Sequence, residues 1–234
     1  MAATDTARLS VIVPALNEAA AIADTLSALQ PMRERGHEVI LVDGGSSDRT
    51  MDIARPLVDR VLSAARGRAC QLQAGADAAQ GGIFWFLHAD TGVPVDAEKL
   101  IIRALGYGSR EWGRFDIRFT GGGLRMRLVA TGMNLRSRLS GIATGDQGIF
   151  VSRGLFERVG GYPDIPLMED IALSRQLRRV TRPVSLRTSL CTSARRWQVN
   201  GYLRTVLLMW GLRLAYSAGL SPATLAKYYG TGPR

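Results

Sequence analysis

Cysteine, lysine and long apolar runs are all scarce in this sequence. The two cysteines, Cys70 and Cys191, lie far apart and in no metal-ligand spacing, which favours a reducing compartment without disulfides, such as the bacterial cytosol. The longest apolar run near the C-terminus covers only residues 206–210, far short of the roughly 20 residues that cross a bilayer. The early run at 9–13 is too short for a secretory signal and ends in Pro14. We therefore expect a cytoplasmic protein without a membrane span.

Acidic residues are outnumbered in this chain. It has 20 acidic and 30 basic residues, a formal net charge of +10, and only Lys99 and Lys227 are lysines. Arginine pairs with phosphate through a planar two-pronged fork, so the excess suits nucleic acid, an anionic membrane surface or a phosphorylated small substrate. A genome-wide bias toward arginine codons would give the same count. With 46% apolar and 21% charged residues, the composition is that of a globular protein and argues against disorder.

A regular alternation of strands and helices is present in the first 92 residues. The apolar runs predict strands at 8–15, 37–45, 58–64 and 83–90. Helical patterns separate them at 17–29, from 47 or 48 to 54, and at 67–79. Strands alternating with helices in this way predict right-handed βαβ units and a parallel sheet.

The pattern is looser after residue 92. It predicts helices at 96–105, 123–139 and 168–179, strands at 112–119 and 147–152, and a helical tail at 199–229 broken near Gly219 and Pro222. No linker or repeat interrupts the chain. We expect one domain over 1–234, with a regular first half at 1–92, a mixed second half at 93–198 and a helical tail at 199–234.

Polar residues follow three of the predicted strands. Because ligands of an open parallel sheet bind outside the carboxyl ends of its strands, these clusters should share one edge and favour a common nucleotide site. Each has a simpler alternative: Asn17 and Asp48 as helix caps, the glycines after Asp43 as a tight turn, and Asp90 as a turn cap. The clusters contain Pro14, Asn17 and Glu18, then Asp43, and then His88 and Asp90.

A glycine-rich phosphate loop is missing, since neither GxGxxG nor GxxxxGK[ST] occurs in these turns. A bound nucleotide would need other groups to neutralise its diphosphate. Mn²⁺ or Mg²⁺ held by Asp90 would do so, because both ions prefer oxygen ligands. Arg66 and Arg68, on the turn after the third strand, would add direct charge pairing.

Four segments, SVIVPALNE, VDGGSSDRT, FLHAD and MEDIALSRQL, resemble in order and spacing the family 2 glycosyltransferases. The tail from TSARRWQVNG to AKYYG is similar to a narrower bacterial group, the selenodomain-associated transferase 2 proteins. The resemblance implies a GT-A-like α/β fold: a Rossmann-related, mostly parallel sheet flanked by helices, with a mixed second half and a helical C-terminal tail.

The resemblance makes 1–92 the nucleotide-binding half and 93–198 the acceptor and catalytic half, and it also implies residue roles. Asp43 would contact the nucleotide base or ribose, with Pro14, Asn17 and Glu18 lining the same pocket. The DxD-like motif falls on residues 88–90, so Asp90 would bind the metal and the diphosphate, with His88 as the weaker metal ligand. Asp170 would be the catalytic base, with Glu169 beside it. The alternative for this pair is that both acids merely begin a helix, where the dipole favours them.

Two positions depart from the family pattern. His88 replaces the first acid of DxD, which weakens the expected metal requirement. The QxxRW motif of processive polymer makers lacks its glutamine here and leaves Arg195, Arg196 and Trp197. Arg196 and Trp197 would close over the diphosphate, or else form a solvated arginine packed on a tryptophan. The missing glutamine favours a single transfer to a discrete acceptor.

The resulting hypothesis is an inverting, metal-assisted glycosyltransferase that uses a nucleotide-sugar donor and an unknown acceptor. A sugar-phosphate nucleotidyltransferase and a non-enzymatic basic nucleic-acid binder are the alternatives. Acceptor contacts are expected near Trp112, Arg114 and Asp116. Asp146 and Gln147 either touch a substrate or form a plain turn. The tail helix either docks on the catalytic domain or on a second subunit, giving a homodimer, or lies on the inner membrane face as a peripheral contact.

Overall fold

The strands of the sheet form where β-branched and aromatic residues run without polar interruption. The computed structural model describes residues 8–106, 110–194 and 201–229. The strands are β1 Leu9–Ala15, β2 Glu38–Asp43, β3 Arg60–Ser63, β4 Ile83–Phe86, β5 Thr91–Gly92, β6 Trp112–Thr120, β7 Phe150–Ser152 and β8 Val184–Ser193. The helices are α1 Ile22–Ala28, α2 Gln30–Glu34, α3 Thr50–Ala54, α4 Arg68–Ala78, α5 Ala97–Gly106, α6 Gly123–Ser140, α7 Arg153–Arg158, α8 Glu169–Val180, α9 Tyr202–Ser217 and α10 Pro222–Tyr229.

The eight strands form one sheet in the order β3-β2-β1-β4-β7-β6-β8-β5. The four strands predicted in the first half pair in parallel, as expected. Their residues alternate between two cores: Val11 and Val13 pack toward α1 and α5, whereas Ile12 packs toward α4. Both faces are therefore buried, which explains why these strands are apolar throughout. The predicted α/β class and mostly parallel sheet are confirmed.

The second half mixes strand directions. β7 runs antiparallel to both β4 and β6, and β8 pairs in parallel with β6 along its length, with a register shift between Phe115 and Asp116. β5 and β8 were not among the predicted strands. Both lie at the far edge of the sheet, where pairing with distant residues decides the conformation.

The predicted helix at 17–29 is wrong at its start. α1 begins only at Ile22, and Asn17 adopts a positive φ of 57°. The backbone N–H groups of residues 17–19 bond instead to side chains of the loop after β2, among them the hydroxyls of Ser46 and Thr50. Contacts between the two loops thus replace the first turn that local sequence predicted, and Asn17 does not cap α1.

Trp112, Arg114 and Asp116 do not form the expected acceptor pocket. Trp112 and Arg114 are fully buried, and the Trp112 indole donates to the Thr181 carbonyl at 2.7 Å. Arg114 pairs with Asp116, which also pairs with Arg138 on α6. The three predicted residues instead attach β6 to its neighbours, because a buried guanidinium needs a charged partner.

The helical tail packs against the segment that begins α8. Leu212 of α9 and Leu225 of α10 share a buried cluster with Leu167, Met168 and Ile171. This is the predicted docking of the tail on the catalytic half, and the break between α9 and α10 falls at residues 218–221, as expected. No helix among the described residues is long and apolar enough to span a bilayer.

Gly75 allows α4 to approach β1 closely. A Cβ at this position would overlap Cγ2 of Ile12 and lie 3.0 Å from Cγ2 of Val42. Gly75→Ala is therefore expected to lower the free energy of unfolding by about 1–3 kcal/mol, the usual cost of overpacking. Chemical denaturation measures this change. Gly154→Ala on α7 is the matched control: its Cβ meets nothing within 4 Å, and it should stabilise the fold by up to about 1 kcal/mol. Equal effects of the two variants would contradict the close approach.

Candidate active site

The loops after β1 and β2 are joined by a hydrogen-bond network around Asp43. The buried Asp43 carboxylate accepts from Gly45 N at 3.0 Å and from the Ser46 hydroxyl at 2.5 Å. The Ser46 oxygen in turn accepts from Asn17 N, and Asn17 Oδ1 accepts from Ser47 N at 2.8 Å. Pro14 and Glu18 belong to the same two loop ends. The structure thus brings the four predicted nucleoside-pocket residues together, with Asp43 already holding its own loop in shape.

The start of α4 connects this network to the second half of the chain. Gln71 donates from Nε2 to the carbonyls of Ala15 and Val42, at 2.9 and 2.8 Å. One turn earlier, Arg68 Nη1 lies 3.4 Å from Glu169 Oε1. Arg66 is exposed on the loop before α4. Gln71 was missed by the sequence reasoning, because a glutamine in an alanine-rich helix carries no local signal.

Glu169 and Asp170 lie where α8 meets the turn before β7. Asp170 Oδ2 accepts from Gly145 N at 2.8 Å. In the same turn, Asp146 Oδ1 lies 3.1 Å from His88 Nδ1, so residues from three chain segments converge. A cavity of about 10 Å³ lies at this point, lined by Arg68, Leu72, Phe86, His88, Gly145, Ile149, Tyr162, Glu169 and Asp170. This is room for about one water, so a larger ligand does not fit inside it.

The acids beside this cavity are pushed toward different protonation states. Burial, and then the charge of Asp170, raises the pKa of Glu169, while Arg68 opposes the rise. Burial also disfavours the charged form of Asp146, but the hydrogen bond and charge of His88 outweigh it and lower the pKa of Asp146 to about 2. Carboxyl groups whose pKa values are driven apart are typical of acid–base sites.

Glu169→Gln is expected to stabilise the fold at neutral pH. Because the folded state raises the pKa of Glu169, the stability from this group is complete below the unfolded pKa and is lost as pH rises through the folded value. The Tm difference between variant and parent should therefore grow in favour of the variant from about pH 4 to about pH 8, by roughly 2–4 °C per kcal/mol at this chain length. Thermal unfolding across pH measures it. Exposed Glu157→Gln should show no such trend, and a trend of opposite sign for Glu169→Gln would contradict the buried acid.

The sequence that forms this edge of the sheet matches the model of a known family. A family model described as Glycosyl transferase family 2 matches residues 10–155, which is more than half of the chain. The chain belongs to this family. The PGL/p-HBAD biosynthesis glycosyltransferase of Mycobacterium tuberculosis is 30% identical over 169 residues, 65% of this chain and 62% of the relative. This chain therefore spans less than two thirds of the length of the curated relatives it matches.

Two solved structures share the fold. Staphylococcus aureus TarS, residues 1–349 in complex with UDP-GlcNAc, superposes with a TM-score of 0.66 at 18% identity, over 80% of this chain and 58% of TarS. Mycobacterium tuberculosis glucosyl-3-phosphoglycerate synthase, bound to Mn²⁺, UDP and glucosyl-3-phosphoglycerate, gives a TM-score of 0.57 at 21% identity, over 80% and 73% of the two chains. The predicted GT-A-like fold is confirmed. The narrower bacterial group stays a prediction.

The described residues contain no preformed site for the metal that the family implies. Within the described residues, no three His, Cys, Asp or Glu side chains cluster closely enough to hold an ion. His88 Nδ1 is paired with Asp146, and its Nε2 is buried against Gly145, where a Cβ would lie 2.5 Å away. Asp90, partly buried after β4, remains as a single carboxylate. This donor set fits an ion shared with a substrate diphosphate, as is common for Mg²⁺, and does not fit an ion held by the protein alone.

Some of the predicted site residues make no hydrogen bond with the others among the residues that the structure describes. Asp90 and Arg66 make no hydrogen bond within the described residues, although Asp90 follows β4 on the expected edge. Arg195, Arg196 and Trp197 lie outside the described residues. Asp146 was predicted either to touch a substrate or to form a plain turn, and in the structure it pairs with His88, which lines the cavity.

Proposed function

We propose that this family 2 protein is an inverting glycosyltransferase that moves a sugar from a nucleoside diphosphate to a discrete acceptor. The observation that carries the proposal is the convergence of Glu169 and Asp170 with His88 after β4 and Arg68 at the start of α4. This convergence supports Asp170 as the candidate base, because ligands of parallel sheets bind at the strand ends. TarS and glucosyl-3-phosphoglycerate synthase, which share the fold, have been solved with UDP-GlcNAc and with UDP.

The donor nucleoside would bind over the network of Asp43 and Asn17. The Asp43 oxygens already accept hydrogen bonds from Gly45 and Ser46. The carboxylate therefore holds its loop in shape for the nucleoside and is not a free acceptor itself. Pro14 and Glu18 would form the neighbouring wall. This arrangement costs little on binding, because the loop is held in shape before the nucleotide arrives.

The transfer would proceed as one displacement. The acceptor hydroxyl oxygen attacks the anomeric carbon from the face opposite the diphosphate, forming a new C–O bond. The bond from the anomeric carbon to the diphosphate oxygen breaks and its electrons leave with the nucleoside diphosphate. Asp170 accepts the hydroxyl proton, and the configuration inverts. Buried Glu169 holds Arg68 and shapes the base's surroundings.

Positive charge would stabilise the leaving diphosphate. Arg66 precedes α4 and Arg68 is its first residue, after the end of β3, and the family resemblance assigns Arg196 and Trp197 to the same diphosphate. Asp90 would hold Mn²⁺ or Mg²⁺, which would supply further neutralisation of the diphosphate. The requirement for metal is proposed to be weak, because among the described residues Asp90 is the one carboxylate expected to serve it and His88 is already paired.

The surroundings of the protein follow as proposals too. We place the enzyme in the cytoplasm, as one domain over 1–234, with contact to the inner membrane face or a homodimer through exposed side chains of α9. No observation favours the nucleotidyltransferase alternative or a nucleic-acid partner over membership of this family.

The direct test is turnover of nucleotide sugars. The chain is incubated with UDP-, GDP- and dTDP-sugars with and without Mn²⁺, and release of nucleoside diphosphate is measured. Slow release to water or transfer to an added acceptor is expected with at least one donor, together with thermal stabilisation of about 2.7 kcal/mol at 100 times the Kd. Neither release nor stabilisation with any donor would contradict the proposal.

A further inference from the structure

A second cavity lies on the other side of the α8 N-terminus. Its volume is about 220 Å³, and the residues that line it come from α6, the segment after it, α8 and α9. Asp170 lines the small cavity, whereas the next residue, Ile171, lines this larger one. We call it the arginine pocket, lined by Arg136, Ser140, Ile142, Ile171, Arg175, Trp210, Arg213, Leu214 and Ser217.

Two of its three arginines have buried nitrogens without acceptors. Nε and Nη2 of Arg136 and Nε of Arg213 are inaccessible and have no hydrogen-bond partner among the described residues. Arg175, by contrast, donates to the Ser217 hydroxyl at 2.9 Å and stacks on the Tyr216 ring. Buried donors without partners are costly, and both residues line the pocket, so Arg136 and Arg213 are the two groups whose positive charge an anion in the pocket would compensate most.

The electrostatics of the two groups point the same way. Burial, and then the charge of Arg213, lowers the pKa of Arg136 to about 10. Burial also lowers the pKa of Arg213. The charge of Asp170 opposes both shifts, so the candidate base lies within electrostatic reach of both arginines. The pair therefore carries two poorly compensated positive charges beside the proposed site of transfer.

Apart from Ser140 and Ser217, the remaining walls are apolar and continue onto the surface. Trp210 and Leu214 line the pocket and are nevertheless 58% and 66% exposed. Leu207, 63% exposed, lies on the same face of α9, one turn before Trp210. On α6, the exposed Leu135 and Leu139 precede the pocket residues Arg136 and Ser140. A ligand with an anionic group inside could therefore place an apolar part against the rim.

We propose that the arginine pocket binds the acceptor through a phosphate group, with an apolar substituent against Trp210 and Leu214. Two guanidinium groups match the charge of a phosphate monoester, which is about −1.5 to −2 at pH 7, and their forks suit its oxygens. This inference rests on the proposed function, since it names the acceptor class of the same enzyme. The phosphate could belong to a soluble ester or to a lipid headgroup.

Binding of phenyl phosphate to the full chain tests the pocket, with titration calorimetry or tryptophan fluorescence as the readout. We expect saturable binding that weakens at least tenfold in Arg136→Met and in Arg213→Met. Exposed Arg127→Met on the same helix is the matched control and should bind as the parent does. Both pocket variants should unfold at the same Tm as the parent or higher, because each removes a buried charge without an acceptor. Equal binding of phenyl phosphate by all three variants would overturn the inference. So would the absence of binding by the parent both to phenyl phosphate and to the phosphatidic acid vesicles described next.

A parallel arm uses vesicles of phosphatidylcholine with and without phosphatidic acid. Sedimentation that needs phosphatidic acid and is lost in both pocket variants assigns the phosphate to a lipid headgroup. Phenyl phosphate binding without sedimentation assigns it to a soluble ester, and either result supports the pocket. Nucleoside diphosphate binding is measured on the same samples. If nucleotides bind but binding of the phosphate probes does not depend on Arg136 and Arg213, the phosphate-site inference is wrong and the proposed function stands. If the probes bind through the arginines and no nucleotide sugar binds, the proposed function fails instead.

Discussion

Asp170→Asn is expected to lower kcat of glycosyl transfer by about 10²–10⁴-fold, the range contributed by a positioned general base. Asparagine keeps an oxygen that can accept from Gly145 N, as Asp170 Oδ2 does at 2.8 Å. The fold of the turn and the binding of nucleotide should therefore persist while proton removal is lost. Steady-state turnover and nucleotide titration on the same preparation separate the two effects.

Asp164→Asn is the matched control for this experiment. Asp164 is an exposed aspartate in the loop that precedes α8 and accepts from the Cys70 thiol at 3.2 Å. Its replacement should change kcat less than twofold. A loss of nucleotide affinity in Asp170→Asn with kcat unchanged at saturation would assign Asp170 to binding and remove it as the base.

Asp116→Ala is expected to cause the largest loss of stability. Arg114 is fully buried, and burial lowers its pKa while the hydrogen bond and charge of Asp116 oppose the shift. Without Asp116 the guanidinium keeps only carbonyl acceptors, those of Phe115 and Asn134. Breaking one partner from a buried pair costs about 3–5 kcal/mol, which lowers the Tm by roughly 6–20 °C for a chain of this length.

Two further variants make this measurement specific. Exposed Arg118→Ala, on the same strand, should change the free energy of unfolding by less than about 0.5 kcal/mol. The double variant Arg114→Leu with Asp116→Leu should recover much of the loss, because apolar replacements of a buried pair are often neutral. A single Asp116→Ala as stable as Arg118→Ala would show that the ion pairs of Asp116 with Arg114 and Arg138 do not stabilise the fold.

The parallel half of the fold could be predicted because its signal is local. Ile83 to Phe86 are all buried, and β4 lies between β1 and β7, as an unbroken apolar run predicts. The strand stops at Phe86 rather than Asp90, since His88 turns toward Asp146 and the Ala89 carbonyl accepts from Thr25. Those partners lie far away in sequence, so the end of the strand could not be predicted from its own residues.

The predictions for β8 and for the start of α1 were wrong for the same reason, because both depend on partners far away in sequence. β8 carries exposed Arg187 and Thr188 within a half-buried pattern, and it exists because β6 pairs with it. Asparagine is a common helix-capping residue, yet the Asn17 side chain accepts a hydrogen bond from the loop after β2 instead. For the candidate site, the strand-end pattern indicated His88 and the family resemblance indicated Glu169 and Asp170, and the structure brings the three together. It could not reveal Gln71 or the arginine pocket, because both depend on how helices pack.

Hydrogen–deuterium exchange on nucleotide binding tests the central claim most directly. The chain is compared with and without UDP, GDP and dTDP, each at saturating concentration. We predict slower exchange confined to the loops at 14–19 and 43–50, the start of α4 and residues 88–92, all at the carboxyl ends of β1 to β4. Protection at the opposite edge of the sheet, or no protection with any of the three nucleotides, would contradict a donor site at this edge.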